Sequence, residues 1–133
     1  MLAETTEVPD TLLVEDDEAI ARAFKRLLDR AGLRVCLAAT LTQAIRSLHL
    51  KSLKVVLLDL QLPDGFGFGI LHRIRSHRLP LKVAVVSGSI DGTMEEKLRW
   101  LKPDAVFYKP VMPNELLVWT LKSGLTDAVA RVR

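Results

Sequence analysis

Val55-Val56-Leu57-Leu58-Asp59-Leu60-Gln61-Leu62-Pro63-Asp64-Gly65 opens with four apolar residues that do not alternate with polar ones. A strand with one wet face reads apolar-polar-apolar, whereas a continuous apolar run needs cover on both faces. The stretch therefore predicts a central strand of a parallel sheet, ending at Asp59 and a Pro-Asp-Gly turn. Thr11-Leu12-Leu13-Val14 and Val83-Ala84-Val85-Val86 read the same way. Leu33 to Leu37 and Asp104 to Tyr108 supply two further strands.

Helical spacing fills the intervals. Ile20, Ala23, Phe24, Leu27, Leu28 and Ala31 recur on one helix face, with Asp16 or Asp17 as N-cap and Gly32 as the stop. Leu41, Ala44, Ile45 and Leu48 mark a second helix, and Ile70, Leu71 and Ile74 a third. Met94, Leu98 and Leu101 mark a fourth, stopped near Pro103; Leu117, Leu121 and Leu125 mark a fifth, after Pro113. Five βα repeats in one short chain predict a parallel sheet with helices on both faces and right-handed crossovers.

The 133 residues suit one domain. It is expected to span residues 10–125, with loose ends at 1–9 and 126–133. Hydrophobic residues make up 49% and charged residues 26%, a globular balance that excludes a disordered tail or a collagen. The net charge of +3 is too small to make the chain a nucleic-acid binder, although the isoelectric point lies near 9.2. The single cysteine, Cys36, sits in an apolar stretch and reads as a small core residue. The cysteine usage, the acidic first residues and the lack of a long apolar run suggest a cytoplasmic protein with no membrane partner.

In such sheets ligands sit at the carboxyl ends of the strands. Glu15-Asp16-Asp17-Glu18 follows the first strand, Asp59 the third, Ser87-Gly88-Ser89 the fourth and Lys109-Pro110 the fifth. Converging carboxylates repel, by about 4 kcal/mol for unit charges 4 Å apart at an effective dielectric near 20. A hard divalent cation such as Mg²⁺ would compensate, and Lys109 adds a second positive charge. A carboxylate so placed stays ionised and can act as a nucleophile. Ser87 can bond an incoming oxygen and Gly88 leaves room for it. These parts suit transfer of a phosphoryl group onto Asp59.

The motifs Leu-Leu-Val-Glu-Asp-Asp-Glu (12–18), Val-Val-Leu-Leu-Asp-Leu-Gln-Leu-Pro-Asp-Gly (55–65), Val-Val-Ser-Gly (85–88) and Tyr-Lys-Pro (108–110) follow four different strands in order. Together they resemble the response-regulator receiver domains of two-component signalling, over roughly residues 10–124. The resemblance implies a flavodoxin-like fold of CheY type with strand order 2-1-3-4-5. It implies that Asp59 is the phospho-acceptor. It implies Mg²⁺ held by Asp16, Asp59, the backbone carbonyl of Gln61 and, through water, Glu15. Asp17 then caps the first helix. Ser87, Gly88 and Lys109 would bind the phosphoryl group, Gln61 and Ser89 would tune its hydrolysis, and the Lys109–Pro110 bond would be cis. Such a domain is a phospho-acceptor assisting its own phosphorylation and dephosphorylation, rather than an enzyme.

The implied donor is a sensor histidine kinase or a histidine phosphotransfer protein. The implied output face is the fourth helix, fifth strand and fifth helix, which would meet a downstream protein or a second copy. One position departs from the pattern. Three residues before the lysine the family usually has Tyr or Phe; here stands Val106. Phe107 points to the other face by strand alternation, and Tyr108 shares Val106's face two residues nearer the edge.

Two other functions compete. One is a phosphorylation-independent interaction module on the same fold, which Val106 favours. The other is a small Mg²⁺-dependent aspartyl phosphatase; such enzymes usually carry a second aspartate two residues on, where this chain has Gln61. Gly65 to Gly69 reads as a flexible loop rather than a dinucleotide fingerprint. The run His72 to Arg78 reads as a solvated face that complements its helix dipole.

Overall fold

The computed structural model of the chain describes residues 8–88 and 90–132, with side chains as far as residue 124. Five parallel strands form one sheet: β1 (Thr11–Val14), β2 (Val35–Ala38), β3 (Val55–Asp59), β6 (Lys82–Ser87) and β7 (Ala105–Tyr108). Their order is β2-β1-β3-β6-β7, the expected 2-1-3-4-5 once a small hairpin is set aside. The register pairs Leu13 with Leu57, Leu57 with Ala84 and Ala84 with Ala105, so the strand ends line up along one edge.

Strand alternation divides the core between two layers. Leu12, Val14, Val56, Leu58, Val83 and Val85 face helices α2 (Leu41–Ser47), α3 (Phe68–Ser76) and α4 (Gly92–Leu101). Leu13, Val55, Leu57 and Ala84 face α1 (Glu18–Arg30) and α5 (Pro113–Val132). Val56, Leu57 and Leu58 are fully buried, which is why their stretch does not alternate. Burial of each such side chain stabilises the fold by about 1.5–3 kcal/mol.

The helix ends follow local chemistry. Asp17 caps α1 by accepting from the Ile20 N–H, Thr40 caps α2 from Gln43, and Asp91 caps α4 from Met94. The αL position after α3 belongs to Arg78 (φ 52°) and that after α4 to Lys102 (φ 49°), where glycine is the usual residue.

Two differences from the sequence reading stand out. The stretch read as a loop is a short antiparallel hairpin, β4 (Gln61–Leu62) with β5 (Gly65–Phe66), and Phe68 and Gly69 already belong to α3. Gly65, at φ 142°, makes the turn that only glycine adopts without strain. Arg75, read as part of a solvated face, is half-buried and tied down. Its guanidinium donates to the carbonyls of Leu101 (3.0 Å) and Lys102 (2.8 Å) and to the Asp104 carboxylate (3.2 Å). Helix α5 continues past residue 125 to Val132; residues 1–7 and 133 lie outside the described residues.

Candidate functional site

The carboxyl ends of β1, β3 and β7 bring Glu15, Asp16, Asp59 and Lys109 together. Asp59 is the last residue of β3 and only 5% exposed. Its Oδ1 accepts from the Gln61 N–H at 2.9 Å and its Oδ2 from Lys109 Nζ at 2.9 Å. Glu15, 8% exposed, holds its Oε1 3.5 Å from the same ammonium and accepts the Asp17 N–H on Oε2 at 3.2 Å. Asp16 is exposed at the rim. Carboxyl oxygens of Glu15, Asp16 and Asp59 lie within 4.8 Å of one another. All the donors are hard oxygens, as a small divalent cation prefers.

The charges are not independent. Burial, opposed by the Asp17 N–H and reinforced by the neighbouring Asp59 charge, pushes the Glu15 carboxyl up to about 7. Burial works against the Lys109 ammonium, yet the hydrogen bond and charge of Asp59, followed by Glu15, hold its pKa above the usual value. One cation therefore neutralises part of a three-carboxylate pocket, and the remainder attracts another. The Lys109–Pro110 bond is cis, as expected.

Ser87 ends β6 and is fully buried; a Cβ added at Gly88 would meet nothing within 4 Å, so there is open space beside it. Gln61 is brought next to Asp59 by the hairpin. Ser89 lies outside the described residues. Val106 packs against the α2–α3–α4 core layer, while Phe107 packs on the other layer, edge-on to Trp119 at a centroid distance of 6.4 Å. Tyr108 is 60% exposed. Val106, Tyr108, Leu98, Pro103 and Glu95 line a groove of about 480 Å³ between α4 and β7.

Two supporting residues were not legible as such. Asp64 reaches across the hairpin to accept the Leu41 N–H (2.8 Å) and the Thr42 N–H (3.3 Å), adding a second cap to α2 and lowering its own pKa. Gly67 sits so close beneath Asp59 that a Cβ would lie 2.6 Å from the Asp59 carbonyl oxygen. The Pro-Asp-Gly triplet announces a turn, but no local pattern reveals a bond 23 residues away.

Among the described residues no helix is long and apolar enough to cross a membrane. Residues 11–120 match the response regulator receiver domain family. The chain is 30% identical over 125 residues to the photosynthetic apparatus regulatory protein RegA of Rhodovulum sulfidophilum, covering 91% of this chain and 66% of the relative. It is 32% identical over 108 residues to the cell cycle response regulator CtrA of Brucella ovis, covering 80% and 46%. The chain thus spans two thirds of the first relative or less, and under half of the second. Among solved structures it superposes on a CheY-like receiver domain protein from Methanospirillum hungatei with a TM-score of 0.82 at 26% identity, covering 94% and 99% of the two chains. It superposes on the non-phosphorylated HemR receiver domain of Leptospira biflexa with a TM-score of 0.78 at 28% identity, covering 87% and 94%.

Proposed function

Because this chain belongs to the response regulator receiver domain family, we propose that it is a phosphorylation-controlled switch with Asp59 as its acceptor. The observation that carries the reading is the convergence of three carboxylates within 4.8 Å, with Lys109 Nζ 2.9 Å from Asp59. An Asp59 oxygen attacks the phosphorus of a phosphohistidine presented by a histidine kinase or phosphotransfer protein. The O–P bond forms as the P–N bond breaks, leaving an acyl phosphate and a free imidazole. Mg²⁺, held by Asp16, Asp59, the Gln61 carbonyl and, through water, Glu15, would supply charge neutralisation for the incoming phosphoryl oxygens.

The chain's own residues do the rest. Lys109 donates a hydrogen bond to Asp59 and then binds a phosphoryl oxygen. Ser87 donates to another oxygen, and Gly88 provides the space. Gln61 and Ser89 are the residues that would tune hydrolysis of the product. Drawing Ser87 and Lys109 inward shifts the ends of β6 and β7, and with them the α4–β7–α5 face offered to a downstream protein. The setting is cytoplasmic. Val106 favours a second reading, a module that signals through the same face without phosphorylation.

Beryllofluoride with Mg²⁺ tests the proposal. The parent should bind the mimic and Asp59→Asn should not, and a small phosphodonor should add one phosphoryl group to the parent alone. Equal binding by both proteins would remove Asp59 from the role.

A further inference from the structure

The charges of this chain, nearly balanced in sum, are separated in space. All five strands run parallel, so their amino ends share one pole of the molecule and their carboxyl ends the other. The turns at the amino pole carry Arg34, Lys51, Lys54, Arg78, Lys82 and Lys102. The acidic residues there are occupied. Asp10 accepts the Arg34 N–H and the Thr11 hydroxyl, and Asp104 accepts the Val83 N–H and Arg75. Lys51 and Lys54 have no ion-pair partner among the described residues. Arg78 and Lys102 hold the two left-handed positions where glycine would fit without strain, so the chain carries cations there at a local conformational cost. The carboxyl pole shows the opposite sign: Asp16, Asp17, Glu18, Asp64, Asp91 and Glu95 are all exposed, with Asp17, Asp64 and Asp91 capping helices and Glu18 beside Arg22.

We infer that the basic pole of one molecule docks on the acidic pole of a second copy, head to tail. The occupant follows from charge complementarity. The acidic surface that matches the basic pole belongs to the same chain. A long polyanion suits the basic pole less, because the basic residues sit on separate turns rather than on one helix that could enter a groove. A head-to-tail contact uses two different patches, so it propagates instead of closing as a symmetric dimer. The contact is electrostatic and is screened over about 8 Å at physiological salt. In such a stack each acidic pole, with the approach to Asp59, is covered by its neighbour's cations. The inference rests on charge placement alone and stands whether or not Asp59 accepts phosphorus.

The test uses two variants of the full chain, followed by sedimentation velocity in low and high salt. One reverses the basic pole (Lys51→Glu with Lys82→Glu) and the other the acidic pole (Glu18→Lys with Glu95→Lys). The parent should show concentration-dependent association in low salt that is lost in 0.5 M salt. Each variant alone should be monomeric. Their equimolar mixture should associate again, because the intact acidic pole of the first variant meets the intact basic pole of the second, and that recovery also shows that both variants fold. A parent that stays monomeric in low salt, a variant that still associates alone, a mixture that does not pair, or association that appears only on adding nucleic acid would each overturn the inference.

Discussion

Lys109 Nζ lies 2.9 Å from Asp59 Oδ2 and 3.5 Å from Glu15 Oε1, so one ammonium bridges two buried carboxylates. Replacing it by Met leaves those carboxylates facing each other with no cation. Hydrogen bonds to charged groups contribute about 1.5–3 kcal/mol when buried, and Lys109 is one-third exposed. Lys109→Met should therefore cost about 1 kcal/mol at neutral pH without divalent cation. The deficit should shrink below about 7, where the Glu15 carboxyl takes up its proton, as urea melts at two pH values would show.

Glu15, raised to about 7 by burial, gives Mg²⁺ binding a pH dependence. Below that value the carboxyl is protonated and neutral, and above it the charge is available to the cation. Affinity should rise with pH through about 7 with release of up to one proton, measured by calorimetry in buffers of different ionisation enthalpy. Stability of the metal-free protein should run the other way. Between the unfolded value of 4.5 and about 7 only the folded state keeps this proton, so the contribution is lost as pH rises across that window. Glu15→Gln should flatten both profiles.

Asp16 is exposed at the rim, and its carboxylate touches the cluster from outside. Asp16→Ala should weaken Mg²⁺ binding at least tenfold while leaving stability within about 0.5 kcal/mol, as for surface changes in general. Unchanged affinity in a fluorescence or NMR titration would take Asp16 out of the ion's coordination.

Gly67 has an ordinary φ of −65°, so its requirement is space rather than backbone freedom. A methyl there would meet the Asp59 carbonyl at 2.6 Å and Leu58 Cδ1 at 3.0 Å. Gly67→Ala should destabilise by about 1–3 kcal/mol, the usual range for overpacking, in urea unfolding.

Asp64 accepts from two α2 amides, Leu41 and Thr42. Asp64→Ala should speed hydrogen exchange at those two positions and leave α5 unaffected. Because folding lowers the Asp64 pKa, its contribution is present above the unfolded value and fades as pH falls through the folded one.

The sequence made legible whatever depends on short-range pattern. Non-alternating runs announced β1, β3 and β6 because both of their faces are covered, and Asp17 announced a helix start because it bonds its own third neighbour. The four strand-end motifs placed Asp59, Glu15 and Lys109 on one edge, since parallel strands leave them no other place. Long-range bonds stayed hidden. Arg75 sits in a basic run that looks solvated, and only the packing of α3 against α4 gives it three acceptors up to 29 residues away. The hairpin was invisible because two-residue strands have no period to detect.

That Arg75 attachment fixes how α4 can respond to events at its other end. The helix is fastened at Leu101 and Lys102, whereas its first turn follows the Ser87–Gly88 strand end. A rod of ten residues, about 15 Å long, held at one tip swings instead of sliding. Small displacements beside Asp59 would then be largest near Asp91 and smallest at the fulcrum, next to the exposed ring of Trp100.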